Sequence, residues 1–494
     1  MSIFKDHAQT LMAAETIEDP ASIGFTVLTK DASRRTIPRR HPWTEQAFCE
    51  RPRFSPVSIH TRLGNRPDPP AMTQDQPSAA VDFKHLDYRA FGNELQEIKR
   101  ELDANRSEAD FKHLRKIERW GRLCSVAGFA TAWMVPNPIS AFLISQGNFT
   151  RWTMVTHHVT HRGYDKTPGV PRRYTSKYYA RGWRRFVDWL DWIVPDAWDY
   201  EHNTFHHYYT GEVTDPDLVE RNVDFFRAWR LPIPIKAVVI AFFMCTWKLL
   251  YYAPNTIWIL QRVRARGQQE KAAQGKLRKV VPDDHRPVET LQLLLPNSRA
   301  GLEFWRRAVL PYGLVRFVLT PLLFLPVGYW AAMSVLVNLL MAEVFTNIHT
   351  FLTIVPSHAA SDLYRFTTPV ANRNEFYVRQ IIGTSNYRCG SDLNDFMHGW
   401  LNYQIEHHLW PDLSMRQYQQ VQPRVKALCE KYDIPYVQEN IVTRFVKLWK
   451  ILLGVESMRI GDTTGSAEPA GAASLPADAA DSTAGPQPTL GSSR

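Results

Sequence analysis

From Val81 to Arg122, charged residues alternate with Phe91, Leu95, Ile98 and Leu102 at three- and four-residue spacing. That is the pattern of an amphipathic helix lying on a membrane or on the body of the domain. The pattern then changes abruptly: no charged residue occurs from Leu123 to Thr150, and the run is broken only by Pro136-Asn137-Pro138. A membrane crossing takes about 20 apolar residues. With its flanks, Ile117–Val135 and Ile139–His157, this run therefore predicts a helical hairpin whose second helix ends in histidines. Ile235–Leu260 carries only Lys236 and Lys248 as charges and is followed by a basic stretch from Arg262 to Lys279. Ala308–Phe351 carries only Arg316 and Glu343, divides near Pro326-Val327-Gly328, and is long enough for two spans.

The apolar runs thus number one more than a paired topology allows. If the histidine clusters before and after them share one site, an even number of crossings must separate those clusters. Basic loops stay cytoplasmic, so the run ahead of the Arg262–Lys279 stretch is expected to be re-entrant or interfacial. The expected fold is an all-α integral membrane protein: helical hairpins with about four spans plus one embedded segment, and a cytoplasmic helical cap holding the histidines. Residues 1–82 mix Pro, Arg, Ser and Thr without helical or strand period and read as a disordered extension, with Met72 a possible true start. Residues 83–458 form the predicted domain, and 459–494 an Ala/Ser/Pro/Gly tail.

Composition sharpens this in three ways. Mean hydropathy is −0.32, which resembles a soluble protein only because polar ends dilute the apolar runs. Lys and Arg exceed Asp and Glu by 59 to 49, and the excess belongs on a cytoplasmic face. The five cysteines are scattered and never form Cys-x-x-Cys, so neither a disulfide framework nor a thiolate metal site is encoded. The first residues lack the continuous apolar core of a secretory signal.

Seventeen histidines are the remaining anomaly. His157 and His161 lie four apart, as do His202 and His206, a spacing that puts each pair on one helical face. His158 points away from the first pair, and His207 is free to serve a second ion. His407 and His408 follow Gln404-Ile405-Glu406. So many neutral imidazoles exceed the four ligands of one zinc and suit two ions, with iron the natural candidate for redox work. Asp215, Asp217, Glu201 and Glu406 are available to orient the rings from behind.

The order His157-x-x-x-His161, His202-x-x-x-His206-His207 and Gln404-x-x-His407-His408 resembles the membrane fatty acid desaturases. The stretch Leu401-Asn402-Tyr403-Gln404-Ile405-Glu406-His407-His408-Leu409-Trp410-Pro411 is very similar to the third histidine box of the branch with Gln at its first position. The resemblance covers residues 85–455. His158 stands where relatives carry an acidic residue, so no ligand role is carried over to it. The resemblance implies that a further ligand comes from the last span. His349, in Asn347-Ile348-His349-Thr350, is preferred for it over His358, with Gln404 and Asn347 as supporting polar groups. His398 is expected to be structural.

The resemblance further implies oxygen-dependent removal of two hydrogens from adjacent methylenes of a lipid-, CoA- or carrier-linked acyl chain, with two Fe2+ ions and O2 as co-substrate. Trp152, Phe149, Trp247, Phe345 and Phe351 are candidates to line the acyl tunnel. No His-Pro-Gly-Gly haem signature and no Gly-x-Gly-x-x-Gly loop for flavin or NAD occurs, so electrons must come from a separate ferredoxin- or cytochrome-b5-like donor with its reductase. Arg172, Arg173, Lys177, Arg181, Arg184 and Arg185 interleave with aromatics in an expected interfacial helix. Headgroup contact is preferred there over donor docking, and nucleic acid is excluded by its place between histidine boxes. A hydroxylase or acetylenase on the same site is the alternative activity, and a histidine-rich metal transporter the alternative class. The predicted location is the cell (inner) membrane with the site facing the cytoplasm. Oligomeric state is not encoded.

Overall fold

A computed structural model describes residue 83, residues 86–273 and residues 290–461. The expected N-terminal extension, with the start at Met72, and the tail beyond Gly461 lie outside the described residues.

The amphipathic pattern becomes the helix Tyr88–Ala104, capped by Asp87, whose carboxylate accepts from the amides of Arg89 and Ala90. Its periodic residues Phe91, Leu95, Ile98 and Leu102 are buried. They pack toward the helices Arg373–Ile382 and Met415–Lys431 near the histidines. Next come Glu108–Ala132 and a continuous helix over 138–160, the predicted hairpin. Asn137 caps the second helix, accepting from Ser140 N at 2.8 Å, and Pro138 opens it. The two helices approach closely because Gly128 faces Ile144: a Cβ on Gly128 would lie 2.7 Å from that side chain.

Among the described residues three helices are long and apolar enough to cross a membrane: Ile233–Arg264, Arg299–Val327 and Tyr329–Ser357. Gly328, at φ +138°, turns the chain between the last two. Tyr329–Ile354 packs against Pro138–Phe149 and Ile233–Trp247. A small apolar cluster of Ala132, Ala141, Ile144, Val335, Leu339 and Ala342 lies at this end, and a much larger one surrounds the histidines.

Two expectations change here. The segment between the first two histidine clusters is not one helix. It consists of Arg172–Tyr174, Gly182–Arg184 and Arg185–Asp188 joined by turns, because Pro171 precedes it and Ala180 and Gly182 take positive φ. The domain also runs past residue 458: Arg459–Ile460 pairs in parallel with Tyr364–Arg365, and Gly461 N donates to Arg365 O at 2.9 Å.

A strained turn positions the third cluster. Gly399 (φ +70°) and Trp400 (φ +57°) are consecutive left-handed residues. A Cβ on Gly399 would lie 2.7 Å from both Phe149 Cζ and Thr153 Oγ1, on the helix that carries His157. Gly399→Ala is therefore expected to cost about 1–3 kcal/mol. Thermal unfolding of the purified variant checks this, and an unchanged midpoint would remove the argument.

Candidate metal centre

Two of the three clusters sit on helices that widen at the histidines. Thr150–Thr156 and His202–His206 are π-helical, a local geometry common at functional sites. In the second cluster the wider turn changes which residues align. His202 Nε2 lies 3.3 Å from His207 Nε2, five residues on, while its ring also stacks on that of His206, as 3.6-residue spacing predicts.

Ligand-capable atoms of His157, His161, His202, His207 and His407 all lie within 4.8 Å of one another, and all five residues are buried. His206, His358 and His408 form a second such group, and His202, His206 and Asp217 a third, overlapping one. The two main groups adjoin: the rings of His207 and His408 stack with centroids 4.4 Å apart.

Ring orientation supplies the test of whether a cation fits. His358 Nδ1 donates to Ile354 O at 2.9 Å, and Ser357 Oγ lies 3.1 Å away. His408 Nδ1 faces Gln380 Oε1 at 3.1 Å and Thr210 Oγ1 at 3.0 Å, and that hydroxyl already donates to His206 O at 2.7 Å. Both protons are thus on Nδ1, and the two Nε2 lone pairs face each other at 2.9 Å. Two lone pairs at that distance repel unless a cation lies between them. Two imidazoles bonded to one ion at about 2.1 Å, at roughly right or slightly wider angles, have nitrogens roughly 3.0–3.3 Å apart. The His157–His407 pair, at 2.9 Å between Nε2 atoms, and the His202–His207 pair have the same spacing. His407 Nδ1 is turned to Tyr418 Oη at 3.2 Å, which in turn donates to Trp410 O. His161 Nε2 is buried with no hydrogen-bond partner, as a lone pair awaiting an ion would be.

Burial pulls the pKa of His202, His207, His407 and His408 well below the ordinary imidazole value, and neighbouring imidazoles lower it further. Burial likewise lowers His358, to about 3. Neutral rings are the ligating form. For His206, burial acts downward but the Asp215 carboxylate, 3.0 Å from Nδ1, outweighs it, and the net shift is upward. Asp215 is itself fixed by the amides of Gly211 and Asp217. Asp217 is pushed up to about 6, mainly by burial.

The other expected residues fall elsewhere. His349 is outside both groups: its Nδ1 faces Gln146 Nε2 at 3.0 Å, its Nε2 donates to Met397 O, and its ring stacks on Phe149 at 3.9 Å. No lone pair is left for an ion. The helix runs to Ile354, past the last residue of the apolar run as read from sequence, so its histidine-side end presents His358. Asn347 joins two helices instead, accepting from Lys248 N at 3.0 Å. Gln404 is buried with Oε1 unpartnered, and Glu201 is buried against the Asp217 carboxyl. Glu406 turns away to Asn386 Nδ2 and Tyr436 Oη, and burial raises its pKa to about 7. His158 donates to Met154 O and joins neither group. His398 Nδ1 donates to Asn394 O. Tyr418, Gln380, Thr210 and Trp198, which stacks on His202 at 4.6 Å, carry no sequence signal that marks them as ring-orienting groups.

Long apolar helices capped by a buried polyhistidine cluster fit a membrane protein whose histidines could hold metal ions. The model of the fatty acid desaturase family matches residues 131–440, and the chain belongs to that family. It is 25% identical over 394 residues to an NADPH-dependent stearoyl-CoA 9-desaturase of Mycobacterium tuberculosis, a match covering 75% of this chain and 81% of the relative. A Delta(5) fatty acid desaturase A of Dictyostelium discoideum is 26% identical over 250 residues, 49% of this chain and 48% of that one. A Delta(8)-fatty-acid desaturase of Euglena gracilis is 38% identical over 104 residues, 21% of this chain and 25% of that one. The chain is accordingly an enzyme that desaturates fatty acids.

Proposed function

We propose that this chain inserts a C=C bond into a lipid-, CoA- or carrier-linked acyl chain at two ferrous ions, one held by His157, His161, His202, His207 and His407 and the other by His206, His358 and His408. The paired lone pairs of His358 and His408 carry this reading. When bound, the ions supply the O2 chemistry that an unactivated methylene requires. The protein's part is to keep each Nε2 unprotonated, to orient the rings through Asp215, Tyr418, Gln380 and Thr210, and to exclude water by burial. The acyl chain runs along the apolar helices past Trp152 and Trp247, whose rings lie 6.0 Å apart, with Phe351 edge-on to Trp247. Electrons come from a separate ferredoxin- or cytochrome-b5-like carrier.

Because His207 and His408 stack, the clusters before and after the long helices are on one side of the membrane. Arg299–Val327 and Tyr329–Ser357 cross and return through Gly328. Ile233–Arg264 therefore starts and ends on the histidine side. Its two ends are tied there, by Lys236 Nζ to Arg227 O at 2.7 Å and by Arg264 to Asp196 and Glu303. We assign that side to the cytoplasm of the cell membrane, and the catalytic domain to 83–461.

Expression in a host with a compatible donor, followed by methyl-ester analysis of its lipids, is expected to show a new unsaturated acid. His407→Ala is expected to abolish it, and the purified wild-type protein to contain about two irons per chain. A hydroxylated product, or iron well below that level, would count against the proposal.

A further inference from the structure

The first hairpin and the segment between the first two histidine clusters enclose a cleft of about 200 Å3 apart from the metal centre. Arg122, Arg151, Arg173 and Arg184 line it, with Glu118 and Asp188 as its only acids. Both acids are already committed. Glu118 accepts from Tyr174 Oη at 2.8 Å and pairs with Arg115 and Arg122. Asp188 accepts from Arg184 Nε at 2.9 Å, Arg184 Nη2 at 2.7 Å and Ala180 N at 3.0 Å. With Glu118 shared by Arg115 and Arg122 and Asp188 held by Arg184, two positive charges of the lining are left without a carboxylate partner. They belong to Arg151 and Arg173, whose guanidiniums make no hydrogen bond or ion pair with any described residue.

The depth of these groups identifies what neutralises them. The charge-free part of the hairpin runs from Leu123 to the loop and back to Thr150. It amounts to about 15 Å of one helix and about 20 Å of the other. A hydrocarbon core is about 30 Å thick, so with the loop at the far surface Arg122 and Arg151 fall about 10–15 Å inside its histidine-side margin. A bare guanidinium there is costly and draws an anion toward it. The outer rim is lipid-facing: Leu123 and Val126 on one side, Trp183, Phe186 and Val187 on the other, are all exposed.

We propose that this cleft binds the phosphate of an anionic glycerophospholipid, held by the forked donors of Arg151 and Arg173 with its acyl chains along Leu123 and Val126. Two guanidiniums match a phosphate diester by bidentate hydrogen bonds. Arg151 lies on the π-helical turn that leads into His157, and its carbonyl accepts from Thr156 Oγ1 at 2.6 Å. The bound headgroup therefore also steadies the segment that presents the first histidine pair.

The test is native mass spectrometry of the detergent-purified full chain titrated with phosphatidylglycerol, with phosphatidylcholine and with inorganic phosphate. One phosphatidylglycerol per chain is expected to be retained. Arg151→Gln/Arg173→Gln is expected to weaken it by at least about tenfold. Arg100→Gln/Lys112→Gln, which removes two exposed charges elsewhere, is expected to leave it unchanged. In a parallel melting experiment phosphatidylglycerol raises the wild-type midpoint above that in phosphatidylcholine, and the cleft variant loses this increment. Equal retention by the cleft variant, equal retention of phosphatidylcholine, or displacement of the lipid by inorganic phosphate at equal concentration would each overturn the assignment, the last in favour of a free phosphate ligand.

Discussion

His358→Ala is expected to yield purified protein with about one iron per chain and no detectable unsaturated product, whereas His349→Gln is expected to keep both ions. The contrast follows from what each ring touches. His358 turns a lone pair toward that of His408 at 2.9 Å, while both nitrogens of His349 are engaged by Gln146 and Met397. Removing His358 leaves the second group with two imidazoles. Removing His349 loses a stacking contact on Phe149, and that loss affects stability rather than the metal. Elemental analysis of the two variants beside the wild type decides the matter. Full iron in His358→Ala together with depleted iron in His349→Gln would reverse the assignment.

Lys248→Met is expected to destabilise the protein by about 3–5 kcal/mol, enough to abolish accumulation in the membrane. Lys248 and Asp191 form an ion pair at 2.8 Å with side chains 1% and 5% exposed, deep beside Trp152. Deleting one partner strands the other charge in an apolar surrounding. Lys248→Met/Asp191→Leu removes both charges and is expected to recover most of the loss. Denaturant unfolding in detergent reads the difference. A double variant no more stable than the single one would show that the pair does not act as a unit.

The helical class, the first hairpin and the three histidine clusters were legible because they depend on local pattern: a charge-free run, a Pro-Asn-Pro break, imidazoles four apart. What failed depends on where a helix stops and how tightly it winds. The resemblance points to His349 near the end of the apolar run at Phe351, whereas the helix continues to Ile354 and presents His358. A 3.6-residue period puts His202 and His206 on one face, and the π turn brings His207 within 3.3 Å of His202 as well, which that period does not show. Asn347 looked like a supporting group because it neighbours His349. It serves helix packing instead.

By itself the sequence determined which residue types could ligate metal and that apolar helices carry them, since burial of apolar surface and ligand chemistry are properties of the side chains. Only the tertiary structure decided which imidazoles face one another. That choice rests on ring orientation, set by Asp215, Gln380, Thr210 and Tyr418, which are distant in sequence from most of the rings they hold. Hydrogen bonds formed across the fold fix the side of each ring that bears the lone pair, and no local pattern encodes them.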